Sequence, residues 1–203
     1  MGPLGCGIQT GAGAVMNALR PGAGESIAVF GAGSVGLAAI MAARAVACTT
    51  IVAVDLNADR LALAGELGAT HTINAADGDP VERIRALAGG EGVQYSLECT
   101  GLPKVVRQAV DCLRLTGTCG VIGVAPLGTE VALDLNSILF GRNVRGIIEG
   151  DSIPDVFIPQ LVDLWSQGRF PFDRLVRKYP LSQINEAVHA SERGEVLKAI
   201  VIP

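Results

Sequence analysis

The sequence is poor in basic residues, aromatic rings and histidine, and each shortage closes off a class of chemistry. Lys and Arg number 16 against 20 Asp and Glu, a formal net charge of -4, whereas a nucleic-acid surface needs a basic field to displace phosphate counterions. Aromatic residues make up 4%, too few for a platform that stacks the bases of a single strand. The two histidines, His71 and His189, form no His-x-x-x-His pair that would set two ring nitrogens on one helical face. Each reads as an ordinary strand-end or helix residue. Neither a Gly-x-Ser-x-Gly elbow nor a Gly-x-x-x-x-Gly-Lys-Ser/Thr loop is present, which removes the serine-hydrolase and P-loop signatures. Five cysteines (Cys6, Cys48, Cys99, Cys112 and Cys119) are odd in number and include no Cys-x-x-Cys pair, a pattern that suits reduced thiols in a cytosol.

Long apolar runs are lacking as well. Residues 1–19 are broken by several glycines, Pro3, Gln9, Thr10 and Asn17 and have no basic residue ahead of them, a poor signal peptide. Residues 26–43 are split by Gly31, Gly33 and Gly36, where a spanning helix would need continuous apolar surface. The expectation is a soluble cytoplasmic protein with neither membrane nor nucleic acid as a partner.

What the chain has in abundance is glycine, 26 of 203 residues, and hydrophobic side chains, 49%. That content excludes disorder, and the length supports one large domain, or one domain and part of another. Beta-branched runs at 26–30, 50–54, 70–73, 93–97 and 118–124 alternate with helical patterns at 35–47, 57–67, from Pro80 onward, and at 103–115. Asp79 stands as an N-cap before Pro80, with Glu82 three residues after it, a well-marked helix start. Near-continuous apolar strands separated by helices predict an α/β fold, a doubly wound parallel sheet of the Rossmann type covered on both faces. Beyond Ala125 the pattern loosens. Candidate edge strands at 130–133 and 144–148, a short helix at 136–140, helices at 154–167 and 183–193 and a closing strand at 196–202 complete the chain.

The strongest local motif is Gly31-Ala-Gly33-Ser34-Val35-Gly36, directly after the first strand and opening the next helix. Gly31 permits the tight turn, Gly33 lets the backbone approach a pyrophosphate, and Gly36 lets the helix pack close to the sheet. Free N–H groups at the helix start would hold the ligand's negative charge. So glycine-rich a chain also offers a purely structural reading of the turn, but Asp55 adds context. It lies 19 residues after Gly36, at the end of the second strand, where a carboxylate can accept from the adenosine ribose 2'- and 3'-hydroxyls. A 2'-phosphate would be repelled there, so NAD is expected over NADP, with Arg60 as the nearby side chain able to pair with a phosphate. Sheets of this type also bind S-adenosylmethionine or FAD, and on the residues alone a methyltransferase or a flavoprotein stays open.

Further segments run in collinear order along the chain: Leu4-Gly-Cys-Gly-Ile-Gln-Thr-Gly11, Val54-Asp-Leu-Asn57, Glu98-Cys-Thr-Gly101, Gly120-Val-Ile-Gly-Val124, Phe140-Gly-Arg-Asn-Val-Arg-Gly146 and Gly194-Glu-Val-Leu-Lys-Ala199. Together with the glycine turn they resemble the zinc-dependent medium-chain alcohol dehydrogenases, and among these the aryl-alcohol (benzyl alcohol) branch. The resemblance implies hydride transfer from a primary benzylic alcohol to NAD+. It matches Cys6 to one protein ligand of a catalytic zinc, and Thr10 and Val35 to contacts with the nicotinamide end of the cofactor. Gly31, Gly33, Ser34 and Gly36 match the pyrophosphate turn, Asp55 the ribose carboxylate, and Arg60 a basic group near the adenosine. Thr100 matches the adenine-side strand end, Ile122, Gly123 and Val124 the stretch whose backbone meets the carboxamide and ribose, and Lys198 a basic position near the pyrophosphate. Without the resemblance Cys6 reads as a small buried apolar residue.

The resemblance also implies what this stretch of sequence would not supply. The family's first domain, with the other catalytic zinc ligands and the proton relay, should precede Met1, and catalytic zinc takes three protein ligands. The expected organisation is a lead-in from the catalytic domain over 1–20, a NAD-binding domain over 21–150, and a segment over 151–203 that returns to the catalytic domain. Trp165, Phe157 and Phe170 in that segment are expected to expose an apolar patch, and the edge strand at 144–148 to join two copies as a homodimer. The isolated chain is expected to bind NAD(H), to hold no working zinc centre and to turn over little alcohol or aldehyde. A free-standing NAD(H)-binding sensor or accessory module is the alternative from another class.

Overall fold

The computed structural model describes residues 2–203. Six parallel strands, β1 (Ser26–Phe30), β2 (Thr50–Asp55), β3 (His71–Asn74), β4 (Val93–Glu98), β5 (Leu113–Val121) and β6 (Asn143–Gly146), form one sheet in the order β3-β2-β1-β4-β5-β6. This is the doubly wound order, and the sequence in which strands are added across the sheet reverses between β1 and β4, where such sheets bind ligands. Alternate residues of β1 serve opposite faces. Ile27 and Val29 join one core with α1 (Gly7–Gly13), α2 (Ser34–Ala45) and α3 (Ala58–Leu67). Ala28 and Phe30 join the other with α4 (Pro80–Leu87) and α5 (Pro103–Asp111). Burial on both faces is why β1 is apolar after Ser26 and β2 is apolar between Thr50 and Asp55.

Local chemistry sets the helix starts. Asn57 caps α3, its Oδ1 accepting from the Asp59 and Arg60 amides, and Asp79 caps α4 by accepting from Val81 N at 3.0 Å. Helix α2 differs: it begins at Gly33 with no side-chain cap, leaving its first amides available to a ligand.

Two strand expectations need correction. The helix expected over 103–115 stops at Asp111, and β5 begins at Leu113 rather than at 118. Val93 pairs with Leu113 but Tyr95 pairs with Thr118, so β5 absorbs an irregular excursion, with Thr116 left-handed at φ 63°, that breaks the apolar alternation. The stretch 130–133 forms no strand, because the sheet edge beside β5 is taken by β6. At β6 itself the strand covers Asn143–Gly146, every residue exposed.

The C-terminal part contains α6 (Leu135–Leu139) before β6, then α7 (Pro154–Ser166), β7 (Val176–Pro180), α8 (Ile184–Glu192) and β8 (Lys198–Ile202). Strands β7 and β8 pair in parallel as a separate two-stranded sheet around Tyr179, Ala187, Ala190 and Val196. Charged Arg177 and Lys178 hid β7 in the sequence. The expected exposed patch on this part is also corrected. Phe157 and Phe170 are 4% and 0% exposed, since α7 packs on α1 and joins the first core. Trp165 is the one of the three at the surface, and its Nε1 donates to Asp173 at 2.8 Å. Among the described residues no helix is long and apolar enough to cross a membrane.

Candidate functional site

The crevice at the carboxyl ends of β1 and β4 is built from backbone. Gly31 turns the chain at φ +94°, and its N–H donates to the Val54 carbonyl at 2.8 Å. A Cβ on Gly36 would stand 1.8 Å from the Gly31 carbonyl oxygen, so α2 can start this close to the sheet only on glycine. Gly33 is different, with nothing within 4 Å of where a Cβ would sit. The protein does not fill that space. Beside it lie Ser34 and Val35, half-buried in the first turn of α2.

Asp55 ends β2 next to this turn. Its Oδ2 accepts from Ala32 N at 2.6 Å, and its Oδ1 from Leu56 N and Asn57 N at 2.8 and 2.9 Å. Three amides fix the carboxylate, and each oxygen keeps acceptor capacity for a hydroxyl. A cavity of about 210 Å³ adjoins it, lined by Phe30, Gly31, Val54, Asp55, Thr100 and Leu102 among others. Thr100 therefore lines this cavity, and Arg60 is not among its lining residues. The Arg60 guanidinium lies against Gly194, 3.2 Å from where a Cβ there would be, and its Nε is buried without a partner.

Glu98 is fully buried at the end of β4, and its role comes from the fold rather than from a sequence motif. Its Oε1 accepts from Thr100 N at 2.6 Å and from the Thr100 hydroxyl, and both oxygens lie 3.1 Å from Gly101 N. The Glu98 backbone carbonyl accepts from Ile122 N and Gly123 N, each at 3.0 Å. A Cβ on Gly123 would stand 2.1 Å from Gly101 N. The carboxylate thus fixes the turn after β4, while the backbone carbonyl of the same residue ties the end of β4 to the end of β5 and Val124 beyond it is 92% exposed. Cys99, next in sequence, has its thiol pushed well up, by burial first and by the Glu98 charge second.

On the opposite side of the turn, Cys6, Thr10 and Lys198 converge. A Cβ on Gly7 would touch both Lys198 Nζ and Val35 Cγ2 at 3.4 Å, and one on Gly11 would stand 1.9 Å from the Val35 carbonyl oxygen, so α1 lies flush against the start of α2. Thr10 Oγ1 donates to Glu149 at 3.1 Å, Gln9 Nε2 donates to it at 3.3 Å, and the Cys6 thiol reaches it at 3.9 Å. Sequence reading passed over Glu149, since a single acidic residue after a strand carries no motif.

The residues present suit a dinucleotide: a space above Gly33, uncapped amides at α2 and a fixed carboxylate at Asp55. They do not suit zinc by themselves. Cys6 is exposed, but no group of three or more His, Cys, Asp or Glu among the described residues could hold a metal ion, and catalytic zinc takes three protein ligands.

Comparison with known proteins agrees with this geometry. The model of the zinc-binding dehydrogenase family matches residues 34–167. A geraniol dehydrogenase of Castellaniella defragrans is 48% identical over all of this chain and 54% of its own length. An alcohol dehydrogenase zinc-binding domain protein of Burkholderia ambifaria superposes with a TM-score of 0.96 at 58% identity, covering 100% of this chain and 55% of that one. A benzyl alcohol dehydrogenase of Acinetobacter calcoaceticus superposes with a TM-score of 0.95 at 46% identity, covering 98% and 55%. The chain spans about half the length of these relatives. A fold with the doubly wound strand order, a glycine turn at its switch point and these matches make this chain a member of the zinc-binding dehydrogenase family.

Proposed function

We propose that this chain is the NAD(H)-binding part of a zinc-dependent alcohol dehydrogenase that works in the cytoplasm. The observation that carries the reading is Asp55, held by three amides beside the Gly31–Gly36 turn, where a carboxylate favours ribose hydroxyls and disfavours a 2'-phosphate. The nicotinamide ring, when bound, accepts the hydride. The chain's own residues bind and orient: the α2 amides take the pyrophosphate, Lys198 adds positive charge beside it, and the backbone at Ile122 to Val124 faces the ribose and carboxamide. Thr10 and Val35 border the nicotinamide. Cys6 contributes one thiolate to a zinc whose remaining ligands come from outside the described residues.

In this reading residues 1–20 lead in from a catalytic domain and residues 151–203 return to it, with 21–150 as the dinucleotide domain. Two copies join along β6, whose outer edge is unpaired and exposed, an arrangement that satisfies edge amides. The substrate is an alcohol oxidised to its aldehyde. Geraniol and benzyl alcohol, named for two relatives, share a primary carbinol next to an sp² carbon, and that shared chemistry supports an aryl or allylic primary alcohol here. The test is an assay of this chain with benzyl alcohol, NAD+ and zinc. Nucleotide binding without turnover is the expected result, and robust turnover would contradict the reading of the chain as one part of an enzyme.

A further inference from the structure

Three residues in succession after β6, Glu149, Gly150 and Asp151, have φ of 47°, 69° and 49°. This is the left-handed region, strained for any residue with a side chain, and two of the three carry one. Such a turn persists when its surroundings hold it, and strain of this kind gathers at functional sites. Here backbone contact does the holding. A Cβ on Gly150 would stand 2.6 Å from the Gln9 carbonyl oxygen and 2.7 Å from the Gly13 Cα. Arg145 pairs with Asp151 at 2.5 Å, and Asn17 donates to the Gly150 carbonyl at 3.4 Å.

The consequence of the turn is where it puts one charge. The Glu149 carboxylate is carried past the end of β6 onto the first turn of α1, where it accepts from Thr10, Gln9 and Cys6. All three donors are neutral as hydrogen-bonding groups, and no Lys or Arg pairs with Glu149 among the described ion pairs. Its negative charge is positioned with no ion-pair partner among the described residues; the cation in this cluster, Lys198, stands beside Gly7.

A dinucleotide lies across the carboxyl ends of a doubly wound sheet, one nucleotide on each side of the switch point. The glycine turn and Asp55 occupy the β1-β2-β3 side, so the redox ring falls over the ends of β5 and β6, the side on which Glu149 stands. That ring is where the two forms of the cofactor differ in charge, positive when oxidised and neutral when reduced. Resting on the NAD(H) reading above, we propose that Glu149 discriminates the redox state of the bound nucleotide: its carboxylate attracts the nicotinium ring and lowers the Kd of NAD+ relative to that of NADH.

The experiment measures Kd for NAD+ and for NADH on the full chain, in chelator-treated buffer, for the unsubstituted protein, Glu149→Gln and Glu149→Asp. Loss of the charge is expected to raise the ratio Kd(NAD+)/Kd(NADH) about three- to tenfold, the size of a solvent-facing charge interaction at close range, while Glu149→Asp stays near the parent ratio. Added salt is expected to move the parent ratio toward the Glu149→Gln value, a readout that needs no variant to fold. Equal weakening of both nucleotides would make Glu149 a structural residue and overturn the proposal. So would an unchanged ratio, which would leave the carboxylate without influence on the charge of the nicotinamide ring. Failure of the unsubstituted chain to bind either nucleotide saturably would overturn the NAD(H) reading and this inference with it, whereas saturable binding with an unmoved ratio overturns the inference alone.

Discussion

At the scale of single residues, Asp55 is held by three amides and Gly36 sets how closely α2 approaches the sheet. Asp55→Asn keeps the shape and removes the charge that three amides and, in the proposed function, two ribose hydroxyls share. Hydrogen bonds to a charged group contribute roughly 1.5–3 kcal/mol, so NADH affinity is expected to fall about 10- to 100-fold, and discrimination against NADPH to shrink, in a fluorescence titration. Gly36→Ala places a methyl group 1.8 Å from the Gly31 carbonyl oxygen. The start of α2 must then move, with an expected cost of about 2 kcal/mol in denaturant unfolding and loss of nucleotide binding. An unchanged midpoint would contradict the close approach. The thiols make a third prediction. Burial, with Glu25 next, pushes Cys48 up to about 11, and burial, with Glu98 adding and Ser96 opposing, pushes Cys119 to about 11. An unfolded thiol titrates near roughly 8.5, so the folded state holds more protons in between. This contribution to stability is complete below pH of about 8.5 and lost as pH rises toward about 11. Melting temperature is expected to decline over that alkaline window, while a thiol reagent at neutral pH modifies Cys6, the exposed cysteine, before the buried ones.

Between residue and fold stand the elements, and here the sequence was uneven. The helix starts at Asn57 and Asp79 and the turn at Gly31 were legible because each is decided within four residues by capping or by a glycine-dependent close approach. β5 was not, because its irregular excursion near Thr116 is set by pairing with β4 rather than by its own pattern. β7 was missed for a related reason: Arg177 and Lys178 face solvent on a strand whose buried member is Tyr179, and a pair of strands leaves a weak alternation. The candidate site divides the same way. Asp55 announces itself by its distance from the glycines, whereas Glu98 and Glu149 take their roles from what the fold brings near them. Helix α7 offers a quantitative check of the corrected packing. Phe157→Ala empties a site that is 4% exposed and is expected to cost about 3–5 kcal/mol, whereas Trp165→Ala at the surface is expected to cost much less. At the sheet edge, Val144→Lys is expected to convert a dimer into a monomer in sedimentation, and a parent protein that is already monomeric would contradict pairing along β6.

At the scale of the whole molecule, the proposed function makes this chain a dinucleotide-binding unit whose cradle is built from its own residues and whose zinc chemistry needs ligands beyond the described ones. The β3-β2-β1-β4-β5-β6 sheet provides a switch point; in the proposed function the α2 amides and Asp55 recognise the nucleotide, and Cys6 is one ligand of a zinc whose other ligands lie outside the described residues. Titration of the purified chain with NADH and then with NADPH, followed by nucleotide fluorescence, tests this most directly. Saturable NADH binding with much weaker NADPH binding is the predicted result. Equal affinity for the two would contradict the role of Asp55, and no binding of either would contradict the claim that the cradle is complete in this chain.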